Sequence, residues 1–495
     1  MRDRILTAAV IGATALLGLA APTGAQAAEA AAPRGDLNGD GYPDLAVGVP
    51  SGQVDGKASA GYVHVLWGGP DGPGRHGSVR ISQASPGVPG TPEAGDLFGS
   101  AVAVADVDGD GTADLVVGAS SESLTGDAYA EHGTVTVLPG GAAGFPVGWT
   151  VARGPDEYAR IGSVLAVGDV DGDGAVDLAL GRRLEESGTA VLRRGPLTVD
   201  SPDTLGGPIT QAMFGTVTAL AVGDFDADGD DDLAMSVKAL ESRSVQVLRW
   251  QGGVPERVWS TPASAAALAV GDFDADGADD LALGYCYPNY EADVPDCADT
   301  STGRAEVFTG GLVKVAYGSA GGGFGARTQE IQQDTPGVPG TAEADDRLGT
   351  ALAVGDADGD GHADLAIGDA NEAVGTGKDA GMVTVVHGGP TGLLAADGTA
   401  RAVGFTQNGA GVPGTAEAGD LFGSSVHLED HDGDGDGRAD LTTGAPGENS
   451  ATGGVWLLPG SAQGPTATGS RAMSPGSLGL PASPTPRYGQ VLGRS

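Results

Sequence analysis

The sequence predicts an all-β chain folded as a seven-bladed β-propeller with its ring closed by the C-terminal strand, and three observations predict it. A nine-residue acidic loop, DVDGDGTAD at Asp106 to Asp114, recurs in seven related copies along the 495 residues. Each copy runs into a short apolar segment, such as DLVVG from Asp114 or DLAIG from Asp364, and is usually preceded by an alternating run such as FGSAVAVA from Phe98. Short runs rich in Val, Leu and Ala and closed by glycine are buried strands, so the loop is the turn of a β-hairpin. Finally, the first aspartates stand 70, 63, 55, 48, 84 and 76 residues apart, which leaves room for four strands of about six residues in each unit. A four-stranded unit cannot bury both faces alone and must stack on its neighbours.

Taken in order, the loops are Asp36 to Asp44, Asp106 to Asp114, Asp169 to Asp177, Asp224 to Asp232, Asp272 to Asp280, Asp356 to Asp364 and Asp432 to Asp440. Positions one, three, five and nine carry side-chain oxygens in every copy: Asp36, Asn38, Asp40 and Asp44; Asp106, Asp108, Asp110 and Asp114; Asp169, Asp171, Asp173 and Asp177; Asp224, Asp226, Asp228 and Asp232; Asp272, Asp274, Asp276 and Asp280; Asp356, Asp358, Asp360 and Asp364; Asp432, Asp434, Asp436 and Asp440. The sixth position is always glycine, which permits a sharp turn. The seventh can add a backbone carbonyl, from Tyr42, Thr112, Ala175, Asp230, Ala278, His362 and Arg438. Six to eight oxygens are what a hard divalent cation takes, so up to seven Ca²⁺ ions are expected. An EF-hand is excluded, because its twelfth position is a bidentate Glu and here that position holds Val47, Val117, Leu180, Met235, Leu283, Ile367 and Thr443.

A third strand follows in YVHVLWGG from Tyr62, TVTVLPGG from Thr134, SVQVLRW from Ser244, MVTVVHGG from Met382 and GVWLLPG from Gly454, with a weaker fourth strand before the next repeat. The Phe-Gly starts at Phe98-Gly99, Phe214-Gly215 and Phe422-Gly423, the acidic loop, and the Gly444-Ala445-Pro446 close resemble FG-GAP repeats, as in the N-terminal propeller of integrin α chains. Some copies drift: Ile161-Gly162 and Leu348-Gly349 replace Phe-Gly, Ser264-Ala265 stands there in the fifth copy, and the seventh carries Asp430 and His431 ahead of its loop. The first copy has no Phe-Gly strand before Asp36. The tail from Tyr488 to Ser495 matches residues 98 to 105 position for position and is expected to supply that strand.

Residues 1–27 have the form of a secretory signal peptide: Arg2 and Arg4, an apolar run from Ile5 to Leu19, then small residues to Ala27. Residues 28–495 form the propeller, expected to be secreted and monomeric, without membrane insertion. A formal net charge of −40 argues against nucleic acid as partner. Of the 66 acids, 27 are loop ligands, so much of the acidity has a local purpose. Cys286 and Cys297, the only cysteines, are expected to form one local disulfide in an oxidising compartment.

If the ion hairpin joins strands one and two of each blade, the two-to-three loops and the links between blades share the opposite end. The long insertions Ser51 to Ser59, Ser120 to Glu131, Tyr285 to Ser301 and Asn371 to Asp379 fall there, with the near-identical links GVPGTPEAGD, GVPGTAEADD and GVPGTAEAGD. That end is where an extracellular protein or glycan is expected to bind, with Tyr285, Tyr287 and Tyr290 as candidate contacts. Arg34-Gly35-Asp36 spells an adhesive tripeptide, but Asp36 is needed as an ion ligand. No H-E-x-x-H, G-x-S-x-G or complete phosphate loop occurs. His427 and His431 fall on a strand and an aspartate loop, where solvent-facing roles are expected. A hydrolase built on propeller loops, or a structural envelope component, are the alternative readings.

Overall fold

The computed structural model describes residues 35–494 apart from 125–129, 185–186, 204, 206, 210, 214, 240–242, 285–297, 300–305, 308–309, 344–345 and 434–435. The expected leader, Arg34, the two cysteines, and Tyr285, Tyr287 and Tyr290 lie outside those residues. The rest is a seven-bladed propeller: seven four-stranded antiparallel sheets. Blade two shows the plan, with strands Phe98–Ala105, Asp114–Ala119, Thr134–Leu138 and Trp149–Arg153 in that order across the sheet. The first strands line a common axial channel through Val102, Leu165, Leu220, Leu268, Leu352 and Val426.

Blade one is assembled from both ends of the described chain. Its strands Leu45–Val49, Tyr62–Leu66 and Ser78–Ile81 are completed on the inner side by Val491–Leu492. Val47 pairs with Leu492 and Gly48 with Val491, as Val117 pairs with Val102 and Gly118 with Ala101 in blade two. The C-terminal strand therefore closes the ring, in the register that the match between residues 98–105 and 488–495 predicts. Tyr488 is fully buried, and its hydroxyl lies 2.9 Å from Nδ1 of His64.

Alternation along the strands puts apolar side chains on both faces, and each face meets the next blade. Seven core clusters result, one at each junction: Phe98, Leu115 and Val63 meet between blades one and two, and Leu45, Leu457 and Tyr488 between seven and one. Full burial of such a side chain contributes about 2 kcal/mol, so the ring is held together chiefly by this stacking.

Close backbone approach explains the Phe-Gly pair. Gly162 has φ +85°, and its carbonyl oxygen would lie 2.1 Å from a Cβ on Gly118 of the preceding blade. A side chain at either place would force the two blades apart. The loops are linked as well: the N–H at the eighth position of one loop donates to the carbonyl at the first position of the loop before it, as in Asp231 to Asp169 (2.9 Å), Ala363 to Asp272 (3.0 Å) and Ala439 to Asp356 (2.8 Å).

Strand pairing corrects two registers. In blade four, Ala219 pairs with Ser236 as Ala101 does with Gly118, and Val217 pairs with Val237 as Phe98 does with Ala119. Val217 therefore has the pairing of Phe98, three residues after Phe214, and one residue bulges there where blade two has two. Phe214 lies outside the described residues. In blade seven, Glu429 pairs with Asp440 as Ala105 pairs with Asp114, which makes Asp430 the first loop residue and Asp432 the third. The two extra residues lie inside that loop, not ahead of it. His431 then takes the buried place of Val107, so it is fully buried, and His427 is 8% exposed; neither faces bulk solvent.

Candidate functional site

Loop two shows how a loop is built. Asp106 accepts N–H bonds from Gly109 (2.8 Å) and Asp110 (3.1 Å) on one oxygen and from Gly111 (2.9 Å) on the other, so the first carboxylate fixes the turn. Asp110 accepts from Thr112 N (2.8 Å), and the same five-to-seven bond recurs at Tyr42, Ala175, Ala278, His362 and Arg438. Asp114 is anchored by the N–H of Val107 (3.1 Å) and that of Gly140 at the end of strand three (3.1 Å). The glycine bond is repeated by Gly68, Gly195, Gly318, Gly388 and Gly460 to the ninth aspartates of blades one, three, five, six and seven. In blade seven, Gly433 N–H donates to Asp430 (2.8 Å), as Gly109 does to Asp106, which bears out the shifted register.

These bonds bring carboxylates together. Possible ligand atoms of Asp106, Asp108 and Asp114 all lie within 4.8 Å of one another, as do those of Asp169, Asp171 and Asp177; of Asp224, Asp226 and Asp228; of Asp272, Asp274 and Asp276; and of Asp358, Asp364 and His387. The ninth aspartate thus joins the group in loops two, three and six, and the fifth joins in loops four and five. Asp434 lies outside the described residues. Asp430 was hidden from the sequence reading by the run DHDGDGDG, which fits the motif in either register.

The electrostatics favour a cation. Asp44, Asp114 and Asp440 are pushed up to about 7 and Asp280 to about 8, burial being the largest cause in each, with neighbouring carboxylates adding to it and backbone N–H groups opposing it. Buried oxygens of Asp171, Asp177, Asp226, Asp274 and Asp440 have no hydrogen-bond partner. Buried charge without a partner is costly, and an all-oxygen donor set with partnerless atoms fits a hard divalent ion. Among the described residues no ion pair reaches loops one and two. Elsewhere basic side chains do: Arg194 pairs with Asp171, Arg249 with Asp226 and Asp232, Arg327 with Asp274, and Arg401 with Asp358 and Asp360.

The opposite rim is built differently. The insertion of blade one hydrogen-bonds to the following link (Leu97 N to Ser59 O, 3.1 Å), and that of blade six does likewise (Leu421 N to Asp379 O, 3.1 Å). Under the three similar links a buried glutamine donates to a glutamate: Gln83 to Glu122 (2.6 Å), Gln333 to Glu372 (2.7 Å) and Gln407 to Glu448 (2.6 Å). These bonds fasten the long loops into a continuous rim. Sequence reading found the links but not their glutamines, which lie in the otherwise weak fourth-strand region.

The FG-GAP repeat family matches residues 30–66, 98–138, 348–386 and 422–458, which belong to blades one, two, six and seven. Phosphatidylinositol-glycan-specific phospholipase D of Bos taurus is 35% identical over 151 residues, which is 30% of this chain and 17% of that protein. The Homo sapiens protein of the same name is 36% identical over 151 residues, with the same two shares. Integrin alpha-PS5 of Drosophila melanogaster is 32% identical over 160 residues, 30% of this chain and 16% of that protein. In each case the match spans less than a fifth of the curated relative's length.

Proposed function

Taking as premise that the chain carries FG-GAP repeats in a seven-bladed propeller, we propose that it is a secreted, calcium-stabilised module that binds a protein or glycan through the rim opposite the acidic loops. The partnerless, buried carboxylate oxygens of Asp171, Asp177, Asp274 and Asp440, in loops three, five and seven, support the calcium reading. They lie in loops that fix the turn between the two inner strands, so bound calcium would act on the ring's stability and not as a reagent. Calcium there would neutralise the clustered carboxylates, and the chain's own contribution is to hold their oxygens together. With about 1 mM calcium and a dissociation constant near 10⁻⁴ M, each site contributes roughly 1.4 kcal/mol. Seven such sites would give on the order of 10 kcal/mol, comparable to the stability of a whole domain.

The observation that carries the binding role is the division of labour between the two ends. One end is occupied by tight loops, nine residues long in six blades and two residues longer in the seventh, while the other carries insertions braced on the links that follow them. Variable loops on a rigid ring are the usual place for recognition. The phospholipase activity named in two relatives belongs to proteins of which the match covers 17%, and this chain shows no catalytic motif to place it on.

Thermal melts with calcium and with chelator test the first part. A Tm lowered by chelation and restored by calcium is expected; a melt that ignores the chelator refutes it. Retention on immobilised glycans or extracellular proteins in calcium, lost when the insertion Asn371 to Asp379 is shortened, tests the second. Turnover of an ester or glycoside substrate without such binding would favour the hydrolase reading.

A further inference from the structure

The residue just before the strand-three glycine varies from blade to blade, with Pro and Arg each occurring twice and Trp, Tyr and His once. It is Trp67, Pro139, Arg194, Arg249, Tyr317, His387 and Pro459, placed by the pairing of strands two and three. In blade four it is the next position that departs from the rest. After Arg249, Trp250 replaces the glycine whose N–H holds the ninth aspartate in the other six blades.

The guanidinium takes over that role. Nε of Arg249 lies 3.2 Å from Oδ1 of Asp232 and Nη2 lies 3.1 Å from Oδ2, a two-pronged pair that occupies both oxygens of the ninth carboxylate. Nη1 reaches Oδ2 of Asp226, the third-position carboxylate, at 2.5 Å. The side chains are 18%, 2% and 9% exposed. Asp226 and Asp232 hold the positions that Asp108 and Asp114 hold in loop two, where those two converge with Asp106. In loop four the converging group is Asp224, Asp226 and Asp228, the same pattern as Asp272, Asp274 and Asp276 in loop five. What sets loop four apart is therefore the arginine on its third and ninth carboxylates. A planar guanidinium suits this place because its fixed fork matches a carboxylate, and it stays charged at any working pH.

We infer that loop four takes no calcium, because the side chain of Arg249 fills the cation place between its third and ninth carboxylates. The fold keeps the geometry of a metal hairpin there but closes it with its own cation, so blade four is the part of the ring that does not depend on calcium. Arg194, Arg327 and Arg401 are not equivalent. Their side chains are 49%, 42% and 57% exposed, and none forms such a pair with a ninth aspartate. A surface arginine can swing away from an arriving ion.

This inference rests on the calcium reading of the other loops, and counting bound metal separates the two. The full chain is dialysed against millimolar calcium, and calcium per chain is measured by atomic emission for wild type, Asp108→Ala, Asp226→Ala and Arg249→Gln. Alanine is used because Asn38 fills the same position of loop one with an oxygen. Asp108→Ala is expected to lose one ion, Asp226→Ala to lose none, and Arg249→Gln to gain one. A loss of one ion in Asp226→Ala overturns the inference, as does an Arg249→Gln protein that folds and gains none. If Asp108→Ala loses its ion while either of those results is found, only the inference falls. If wild type and Asp108→Ala hold no calcium, the reading of the loops as calcium sites falls with it. Should Arg249→Gln not fold, the Asp226→Ala count decides alone.

Discussion

At five of the seven blade junctions the glycine that ends strand two meets a glycine of the next blade, and at the two on either side of blade four it does not. Gly188, on strand three of blade three, still lies against blade four, where a Cβ on it would be 2.5 Å from the Gly215 carbonyl oxygen. At the five, a Cβ on Gly48, Gly118, Gly284, Gly368 or Gly444 would come within 1.7–2.3 Å of the carbonyl oxygen of Gly99, Gly162, Gly349, Gly423 or Gly489 in the next blade. Between blades three and four, Gly181 faces Val217, with the nearest atom 3.3 Å from a Cβ on the glycine. Between four and five, Ser236 replaces the first glycine and Ala265 the second. There the Ser236 hydroxyl accepts the Ala265 N–H (2.8 Å) and lies 3.1 Å from the Ala265 carbonyl oxygen. Blade four is also the one whose ninth aspartate is held by an arginine. The comparison teaches that the repeat's glycines and its metal pattern are two solutions to separate problems, close approach and charge, and that blade four solves both with side chains.

The largest expected effect sharpens the contrast between junctions. Gly118→Ala puts a methyl group into a backbone carbonyl that cannot retreat without moving a whole blade, and should cost about 3 kcal/mol or more. Gly181→Ala meets only the side chains of Val217 and Val164, at 3.3 and 3.4 Å, and should cost about 1 kcal/mol. Denaturant titration of both proteins reads the difference. Equal losses would mean that the two kinds of junction do not differ in tightness.

Much of this was legible in the sequence. Seven loops, four strands per unit and closure by residues 488–495 all follow from patterns within one repeat or from the match between two. What escaped notice lies in register and in long-range pairing. DHDGDGDG reads as a loop from either Asp430 or Asp432, and only the pairing of Glu429 with Asp440 decides between them. Phe214-Gly215 looks like a repeat start, yet Val217 takes the strand pairing that Phe98 has in blade two. Arg249 reads as an ordinary strand residue until the strand register sets it over a loop 17 residues earlier. A motif records which groups a loop offers, but not which side chain from another strand is turned towards them.

Ser236→Ala probes the hydroxyl solution directly. It removes the acceptor of the Ala265 N–H and the partner of the Thr218 hydroxyl, 2.7 Å away, and leaves a buried donor unpaired. A loss of about 2 kcal/mol is expected. A neutral result would mean that the junction between blades four and five is held by apolar contact alone.

Among the glycine junctions, blade six has its own exception, and pH exposes it. Asp369 stands where blades two and seven have Ala119 and Ala445, and burial pushes its carboxyl up to about 8, against the N–H bond from Arg347 (3.1 Å). The folded protein keeps this proton up to about pH 8, whereas the unfolded chain loses it near 3.8. Between those values the folded state binds one proton more, so this group makes stability fall as pH rises and level off above about 8. Asp369→Asn removes the titration. It should leave the protein about as stable as wild type near pH 4 and more stable by about 2 kcal/mol at pH 8. Parallel pH profiles of the two proteins would show that the burial does not act through the proton.

The smallest effect is expected at Arg401, and its smallness matters to the contrast with Arg249. Arg401 reaches Asp358 (2.9 Å) and Asp360 (3.0 Å) in loop six, but from a side chain that is 57% exposed. Exposed pairs of this kind contribute about 0.2–1 kcal/mol and weaken with salt. Asp364 keeps its anchor from Gly388 N–H (2.9 Å) whether or not the arginine is there. In loop four the arginine stands in for that anchor. Arg401→Gln should therefore change stability by about 0.5 kcal/mol or less, and by less still in high salt. If it instead cost as much as Arg249→Gln measured in chelator, exposure would not distinguish an arginine that visits an acidic loop from one that closes it, and the special place given to blade four would be lost.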